Sequence, residues 1–452
     1  MSDRSIVFRI LVGYPLSRSL FLGFIVSGLV LAGVAAVRGE FITLALPLAV
    51  YLVAGYLISP EATKLSATRH LSTDRTTPHA EVIVSVTITN HGQHLEEVSI
   101  EDQAPADLTI HPSADASTAI HAAPPNRHLI RLPKDSAYTF SYKVSGPRGG
   151  YEFESVRVKI NDPFRVTSRV VELPAKGQLF IFPIVLRLRH VAIHPRRTRV
   201  YAGMIPARVG GTGTEFFGVR DYHPGDPPRV INWRASAHHE DVLYANEFQQ
   251  ERVADVGIVL DGRMRTNEFA HGHSLFEHSV QAAAAVADAL LAQGNRVGML
   301  VYAAFLRWTI PGYGKIQREK IMHSLAYAKP GGSDVFADLE HLPTRLFPPE
   351  SQIIMISPLH EDDLMPLVQL RAQGYQVLVV SPNPVKFELA YLQKTRNVEL
   401  AGRVVTMERL LLLQKVRHAG VQVLDWDVSE PFDHVVKRML SRPPAWLRAV
   451  GR

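Results

Sequence analysis

The chain opens with two long apolar runs. Nineteen uncharged residues, SLFLGFIVSGLVLAGVAAV, lie between Arg18 and Arg38, and twenty more, FITLALPLAVYLVAGYLISP, lie between Glu40 and Glu61. A helix of about 20 apolar residues spans the hydrocarbon core of a bilayer. Pro47 interrupts the second run, and membrane helices tolerate such a residue. The pattern therefore predicts a transmembrane helical hairpin with a tight turn between the two runs.

Basic residues flank the predicted hairpin on both sides: Arg4, Arg9 and Arg18 before it, and Lys64, Arg69 and Arg75 after it. Because cytoplasmic flanks carry the excess of Lys and Arg, this asymmetry predicts a multi-pass protein of the cell inner membrane with its soluble domains in the cytoplasm. Two alternatives stay open. The first run could be a cleaved signal peptide. Separately, the sandwich and the α/β domain could lie outside the cell as an adhesin.

The pattern changes to a period of two residues over 76–174. EVIVSVTITN and LEEVSIED alternate apolar and polar positions, and AYTFSYKVSG and GGYEFESVRVKIND follow after turns. Short alternating strands punctuated by Gly, Pro, Asn and Asp are typical of a β-sandwich. We expect a spacer or a binding module here, because no catalytic group of residues is visible in it.

Beyond Asp255 the pattern alternates between buried strands and helices. VGIVLD, RVGMLVYA, QIIMISP, YQVLVVSP and VQVLDWD are continuous apolar strands, and helical stretches such as FEHSVQAAAAVADALLAQG lie between them. Such strands indicate a mostly parallel sheet covered on both faces, a doubly wound α/β domain. Ligands of these sheets bind at the carboxyl ends of the strands, which is where Asp261 lies.

Composition narrows the classes of function. The net charge is +6 and the pI is about 9.4, which suits either nucleic acid or an anionic membrane surface. The basic stretch RLRHVAIHPRRTRV lacks interleaved aromatic residues, so a solvated connector is the better interpretation and we expect no nucleic-acid partner. The chain has no cysteine, which excludes disulfides, zinc thiolate sites and cysteine catalysis.

A charged and aromatic segment precedes the first α/β strand and resembles the signature of the domain-of-unknown-function 58 (DUF58) family. The resemblance is carried by RDY at 220–222, by GD at 225–226, by Arg229 and Trp233, and by EFQQE at 247–251. It implies two N-terminal transmembrane helices, a β-sandwich and a von Willebrand factor A-like α/β domain. It also implies work alongside a MoxR-type AAA+ ATPase in complex assembly or a chaperone-like role.

The signature residues are candidates either for a docking surface or for a structural clasp that completes the α/β domain. We expect their charges to form a network above packed aromatic side chains such as Phe216 and Trp233. The candidates are Glu215, Arg220, Asp221, Tyr222, Gly225, Asp226, Arg229, Trp233, Arg234, Glu247, Phe248 and Glu251.

The von Willebrand resemblance raises the question of a metal site after the first strand. Such sites use Asp-x-Ser-x-Ser, but this chain has Asp261, Arg263 and Arg265 in that spacing, with Ser333 and Asp334 in a later loop. Two cations in place of two hydroxyl ligands repel Mg²⁺. We therefore expect a degenerate metal site at a strand-end crevice, no metal and no cofactor, with Arg263 or Arg265 paired to Asp261.

Together these patterns predict a multidomain, non-enzymatic, membrane-anchored interaction or scaffold protein. The alternative is an α/β domain that binds a small ligand or acts as an enzyme through the crevice near Asp261, and a homo-oligomer is left open. The predicted divisions are an N-terminal segment with two transmembrane helices (1–62), a β-sandwich (76–174), a basic connector (175–212), the signature segment (213–251), the α/β domain (252–430) and a C-terminal tail (431–452).

Overall fold

The computed structural model describes residues 18–57, 64–112, 124–161, 168–188, 198–238, 242–332 and 338–440. The chain divides into two compact units, Met1–Ile181 and Phe182–Arg452. The first unit contains a pair of helices and a β-sandwich, and the second contains an α/β sheet.

The two apolar runs form helices α1 (Arg18–Ala35) and α2 (Gly39–Leu57). Among the described residues, no helix is long and apolar enough to cross a membrane, so the predicted transmembrane hairpin is wrong. The helices have 18 and 19 residues and include the polar ends Arg18 and Glu40.

Nine strands build the sandwich of the first unit. They are β1 (Leu65–Leu71), β2 (Arg75–Thr76), β3 (Val82–Asn90), β4 (Leu95–Asp102), β5 (Thr109–Pro112), β6 (Arg127–Leu132), β7 (Ser136–Ser145), β8 (Gly149–Asn161) and β9 (Ser168–Ile181). One sheet has the order β1-β3-β7-β5 and the other β2-β9-β8-β4-β6. The predicted alternating strands are confirmed: in β3, every second side chain from Val82 to Ile88 is fully buried.

A buried ion pair crosses this sandwich core. Arg69 and Asp102 form a salt bridge with fully buried side chains, and the Tyr142 hydroxyl donates to Asp102 Oδ2 at 2.6 Å. Arg69 also donates to the Ser155 carbonyl oxygen at 3.2 Å and lies 4.8 Å from the centre of the Phe153 ring. Counting Arg69 among the basic flanks of a membrane hairpin was therefore wrong, because its charge is compensated inside the sandwich.

The second unit is built on a long antiparallel ribbon and a mostly parallel sheet. Its strands are β10 (Thr198–Asp221), β11 (Tyr244–Asp261), β12 (Phe269–Ala270), β13 (His273–Ser274), β14 (Arg296–Tyr302), β15 (Leu306–Gly312), β16 (Gln352–Ile356), β17 (Gln376–Pro382) and β18 (Gln422–Trp426). Its helices are α3 (Trp233–Ser236), α4 (Leu275–Ala292), α5 (Gly314–Ala326), α6 (Leu364–Ala372), α7 (Pro384–Tyr391), α8 (Arg396–His418) and α9 (Phe432–Leu440).

The main sheet has the order β15-β14-β11-β16-β17-β18, and β10 pairs with β11. Strands β14, β11, β16, β17 and β18 are parallel, whereas β15 is antiparallel at one edge. Alternate residues of β11 face opposite sides. Ile258 belongs to the apolar cluster with α4, α5 and α9, and Val259 belongs to the cluster with α6 and α8.

Several predicted boundaries in this unit shift. The helix predicted from TMERLLLLQKVRHAG begins ten residues earlier, at Arg396, and α7 was missed. The predicted C-terminal tail contains α9, whose Phe432, Val435 and Val436 are buried in the core. The basic stretch falls largely outside the described residues, at 189–197.

Candidate functional site

The two groups of predicted site residues lie at opposite ends of β11. The signature segment (213–251) includes the end of β10 and the start of β11. The connection between Asp221 and Tyr244 is called the signature turn below. Asp261 is the last residue of the same strand. Seventeen residues separate Tyr244 from Asp261, which at about 3.3 Å per residue is on the order of 55 Å along the strand. The signature turn and the strand-end crevice are therefore two separate candidate sites.

A bidentate ion pair organises the signature turn. Arg220 Nη1 and Nη2 each donate to one carboxylate oxygen of Asp226 at 2.8 Å, and the backbone N–H of His223 donates to Asp226 Oδ2 at 3.0 Å. The Tyr222 hydroxyl donates to the Asp226 carbonyl oxygen at 2.9 Å. The hydrogen bonds from Arg220 and from the His223 backbone lower the pKa of Asp226 to about 2.

Local sequence explains why the chain turns here. Gly225 has φ +113°, a left-handed conformation that glycine adopts without steric cost. The side chain of Asn232 caps α3 by accepting from the Ala235 backbone N–H at 3.0 Å, and it also donates to Asn246 Oδ1 at 2.8 Å. The Ser236 hydroxyl accepts from the Tyr244 N–H at 2.9 Å. These bonds tie the turn to the start of β11.

Apolar side chains are exposed beside this ordered turn. Trp233 is 67% exposed, Phe216 59%, Leu243 46% and Val219 44%. The prediction that Phe216 and Trp233 pack beneath a charge network is therefore wrong.

The other signature residues divide into two groups. Asp221, Arg229 and Arg234 are exposed, and Glu247 is half-buried and close enough to Arg220 to raise its pKa, after the larger effect of Asp226. The backbones of Glu215, Phe248 and Glu251 belong to β10 and β11, but their side chains lie outside the described residues. The predicted network is thus found for the Arg220–Asp226 pair and its neighbour Glu247.

At the other end of β11 a buried arginine joins two buried aspartates. Arg263 donates from Nε to Asp261 Oδ1 at 2.9 Å and from Nη2 to Asp261 Oδ2 at 2.8 Å. Its Nη1 and Nη2 donate to Asp363 Oδ1 and Oδ2, both at 2.8 Å. The three side chains are at most 2% exposed. The predicted pairing of Arg263 with Asp261 is confirmed, and Asp363, from the loop before α6, was not foreseen.

Further donors complete the coordination of both carboxylates. Asp261 accepts from the Ser357 hydroxyl at 2.6 Å, from the Thr266 hydroxyl at 3.2 Å and from the Arg263 backbone N–H at 3.0 Å. Asp363 accepts from the His360 backbone N–H at 2.8 Å. Such an arrangement satisfies the buried charges that would otherwise be costly.

Arg265 has a different role from Arg263. Its side chain is 31% exposed and pairs with Asp338 at 2.6 Å and with Asp362 at 3.4 Å, at the rim of the crevice. Ser333 and Asp334 lie outside the described residues. The rim is therefore formed by charges from three loops above the buried Arg263.

The electrostatics of the crevice favour the guanidinium. Burial opposes the charge on Arg263, but the hydrogen bonds and charges of Asp261 and Asp363 outweigh it and raise the pKa. Burial also raises the pKa of Tyr302 to about 12. A divalent cation would need the carboxylate oxygens that Arg263 engages, and a guanidinium between them repels it. The residues present therefore do not fit a metal ion between Asp261 and Asp363.

A second buried arginine, Arg409 of α8, ties together the ends of the next strands. It donates to the Pro358 carbonyl at 2.8 Å, to the Ser381 hydroxyl at 2.9 Å and to Asp425 Oδ1 at 2.7 Å. These three residues follow or end β16, β17 and β18. Sequence reasoning missed Arg409 because it lies in an ordinary-looking helix, ERLLLLQK, far along the chain from its partners.

Residues 218–389 match the family model described as "Protein of unknown function DUF58", which covers the signature turn, β11 and much of the α/β sheet. The chain is therefore similar to the DUF58 family over 172 of its 452 residues. The DUF58 match includes Arg220, Asp226, Asp261 and Asp363, so both candidate sites lie within it.

A curated protein is similar to part of this chain. The chain is similar to the "Uncharacterized protein YeaD" of Bacillus subtilis (strain 168), with 24% identity over 162 residues. The match covers 36% of this chain and 38% of that protein, so the chain spans well under half the length of this relative.

Among solved structures, proximal thread matrix protein 1 from the mussel byssus (crystal form 2) has a TM-score of 0.26 and 14% identity, covering 42% of this chain and 47% of that one. A FixG-related protein from Vibrio parahaemolyticus has a TM-score of 0.17 and 6% identity, covering 26% of this chain and 95% of that one. Scores this low establish no shared fold for this chain.

Proposed function

We propose that this protein is a non-enzymatic interaction or scaffold protein and that its signature turn docks a protein partner. The observation that carries the proposal is Trp233, which is 67% exposed beside the ion-paired turn of Arg220 and Asp226. Tryptophan and arginine are enriched among the residues that dominate binding energy at interfaces. A rigid turn that presents both is the strongest protein-binding feature of the described residues.

The shape of the turn supports docking over a structural clasp. The hydrogen bonds of Asp226 and Asn232 are made within the turn and the adjacent strands, so the described part of the turn needs no partner to hold its shape. An ordered surface loses little conformational entropy on binding. A clasp would bury Trp233 and Phe216 against its own domain, whereas both are more than half exposed.

The partner that the family resemblance points to is a MoxR-type AAA+ ATPase. Arg229 and Arg234 are exposed on either side of Trp233 in sequence and present two cations next to an apolar ring. A complementary surface on the ATPase would offer an apolar pocket for the indole and carboxylates for the two arginines. We infer that complex assembly or a chaperone-like role follows from this contact.

The α/β sheet supports the interpretation of this domain as von Willebrand factor A-like. Its central strand β11 ends at Asp261, helices cover both faces, and one edge strand is antiparallel. Arg263 then takes the position of the cation in a metal-dependent adhesion site. The rival interpretation, a ligand or catalytic crevice at Asp261, gains no support from the geometry, because Asp261 is 1% and Arg263 2% exposed.

Binding of the purified full chain to a purified MoxR-type ATPase from the same source tests the proposal. Trp233→Ala is expected to weaken binding by about 30-fold or more, the effect of losing a dominant interface residue of at least ~2 kcal/mol. Arg234→Ala is expected to weaken it less. Isothermal titration or surface plasmon resonance gives the dissociation constants.

Trp308→Ala is the matched control, because Trp308 is also a surface tryptophan, 40% exposed, but lies on β15. We expect it to leave binding unchanged. Equal binding by native protein and Trp233→Ala would contradict a docking role for the turn. Circular dichroism of each variant establishes that the fold is retained.

A further inference from the structure

Helix α8 has apolar side chains on two opposite faces. Its inner face buries Gly402, Leu413 and Val416, and a Cβ atom on Gly402 would lie 2.9 Å from Leu389 Cδ1 of α7. Its outer face exposes Leu400 at 52%, Val404 at 59%, Met407 at 64% and Leu411 at 58%. A helix covered on one side normally presents polar residues on the other. Among the described residues, nothing covers this outer face.

The outer residues have the spacing of a coiled-coil seam. Leu400, Val404, Met407 and Leu411 are separated by four, three and four residues, which is the alternation of d and a positions in a heptad. Leu410, 48% exposed, widens the same stripe. In this frame the buried Gly402, Arg409 and Val416 fall at f, on the opposite side of the helix.

We propose that this seam binds a second copy of the chain, through a parallel pair of α8 helices related by a two-fold axis. A two-fold interface is self-complementary, so each apolar layer of one helix meets the identical layer of its partner. The seam then consists of four layers, formed by Leu400, Val404, Met407 and Leu411. This proposal does not depend on the docking role of the signature turn.

Charge complementarity selects the parallel orientation and the second copy as occupant. In a parallel pair, the residue at g of one helix contacts the residue at e of its partner, five positions further along. Arg403 occupies g and Glu408 occupies e, and both are exposed. The two-fold axis therefore creates two Arg403–Glu408 pairs that flank the seam. In an antiparallel pair with the same layers, Arg403 would instead face Leu410 and Glu408 would face Ala401.

The chain contains no cysteine, so single cysteines give an unambiguous cross-linking test in the full-length protein. Leu400→Cys and Leu411→Cys mark the two ends of the seam. In the parallel pair each meets its own copy within the range of a disulfide, whereas in the antiparallel pair identical residues lie about 16 Å apart. We expect each variant alone to form a covalent dimer on mild oxidation at micromolar concentration.

Glu399→Cys is the control, because it is exposed on the same helix but off the seam, and it should form no covalent dimer under the same conditions. Cross-linking only when the two seam variants are mixed would indicate an antiparallel pair and overturn the proposal. Absence of cross-linking from both variants, with circular dichroism unchanged from native, would also overturn it.

Charge exchange provides an independent measurement by sedimentation equilibrium. Arg403→Glu places like charges together across the axis and is expected to raise the dimer dissociation constant on the order of tenfold, with Glu408→Arg acting similarly. The double variant Arg403→Glu, Glu408→Arg restores opposite charges and should recover native dimerisation. A double variant as weak as either single one would contradict the parallel pairing. Trp233→Ala should leave dimerisation unchanged, which separates this proposal from the docking one.

Discussion

An arginine–aspartate pair lies near each end of strand β11, and the two pairs differ in their surroundings more than in their geometry. At the tip, Arg220 and Asp226 make two hydrogen bonds of 2.8 Å with side chains that are 37% and 19% exposed. At the crevice, Arg263 and Asp261 make bonds of 2.9 and 2.8 Å with side chains that are 2% and 0% exposed. The hydrogen-bond distances alone therefore do not determine how much either pair contributes to stability.

Access to water decides the role of each pair. Water solvates an exposed arginine or aspartate that loses its partner, so breaking the Arg220–Asp226 pair costs little free energy of folding. The main effect of this pair is on the shape of the exposed turn. Nothing replaces the partner of a buried charge, so the crevice pair has to be complete. Arg263 faces two carboxylates, Asp261 and Asp363, and the additional hydroxyl and N–H donors lower the cost of the second negative charge.

The largest effect is expected for Arg263→Ala. It leaves Asp261 and Asp363 buried without their cation, and removal of one partner of a buried pair costs about 3–5 kcal/mol of unfolding free energy. Urea unfolding followed by tryptophan fluorescence measures this cost. All four tryptophans of the chain lie after Ile181, so the signal reports the second unit alone.

Arg265→Ala is the matched control for this substitution, because Arg265 lies two residues away and its side chain is 31% exposed. Its loss should cost less than about 1 kcal/mol. If Arg263→Ala were no more destabilising than Arg265→Ala, the buried triad would not be the stabilising element that its geometry indicates. Adding Asp363→Asn to Arg263→Ala removes one uncompensated charge and should recover part of the loss.

A smaller effect is expected for Ser357→Ala. Its hydroxyl donates to Asp261 Oδ2 at 2.6 Å and accepts from the Leu359 N–H at 3.1 Å. Loss of a hydrogen bond to a buried carboxylate costs about 1.5–3 kcal/mol, measurable by the same unfolding experiment. Ser324→Ala is the control, because Ser324 Oγ is buried with no hydrogen-bond partner among the described residues. It should be neutral or stabilising, and equal losses for the two serines would contradict the assigned role of Ser357.

The sequence predicts the elements of this protein better than their long-range contacts. Alternation in β3 and the continuous apolar strands of the α/β sheet were found as predicted, because side-chain periodicity follows directly from backbone geometry. The pairing of Arg263 with Asp261 could also be predicted from the sequence, since both residues lie at the end of the same strand. Asp363 was not, because it lies 100 residues away and only the fold brings it to Arg263.

The wrong predictions arise because local sequence does not report where a helix ends or which side chains become buried. The length of an apolar run does not fix where its helix begins or ends: α1 begins at the charged Arg18 and ends at Ala35, two residues before its apolar run does. Charge in the sequence does not reveal burial, which is why Arg69 was read as a surface flank and Arg409 was overlooked. Aromatic residues beside charges do not reveal which face is covered, and Trp233 proved to be exposed.

The smallest effect in the comparison is expected at the tip, and it is a pH effect. The pKa of Asp226 is lowered from its ordinary value of 3.8 to about 2, chiefly by the hydrogen bonds from Arg220. A carboxyl whose folded pKa is depressed stabilises the fold fully above its unfolded pKa and loses that contribution as the pH falls through the folded value.

Between pH 3 and 5, carboxyl carbon NMR should therefore find Asp226 ionised in the native chain, whereas Arg220→Gln should shift its titration midpoint upward, toward 3.8. Arg229→Gln, which removes an exposed arginine from the same turn, should leave the midpoint low. A native midpoint near 3.8 would mean that water, and not Arg220, sets the charge of Asp226, and that the turn is not held in the shape proposed for docking.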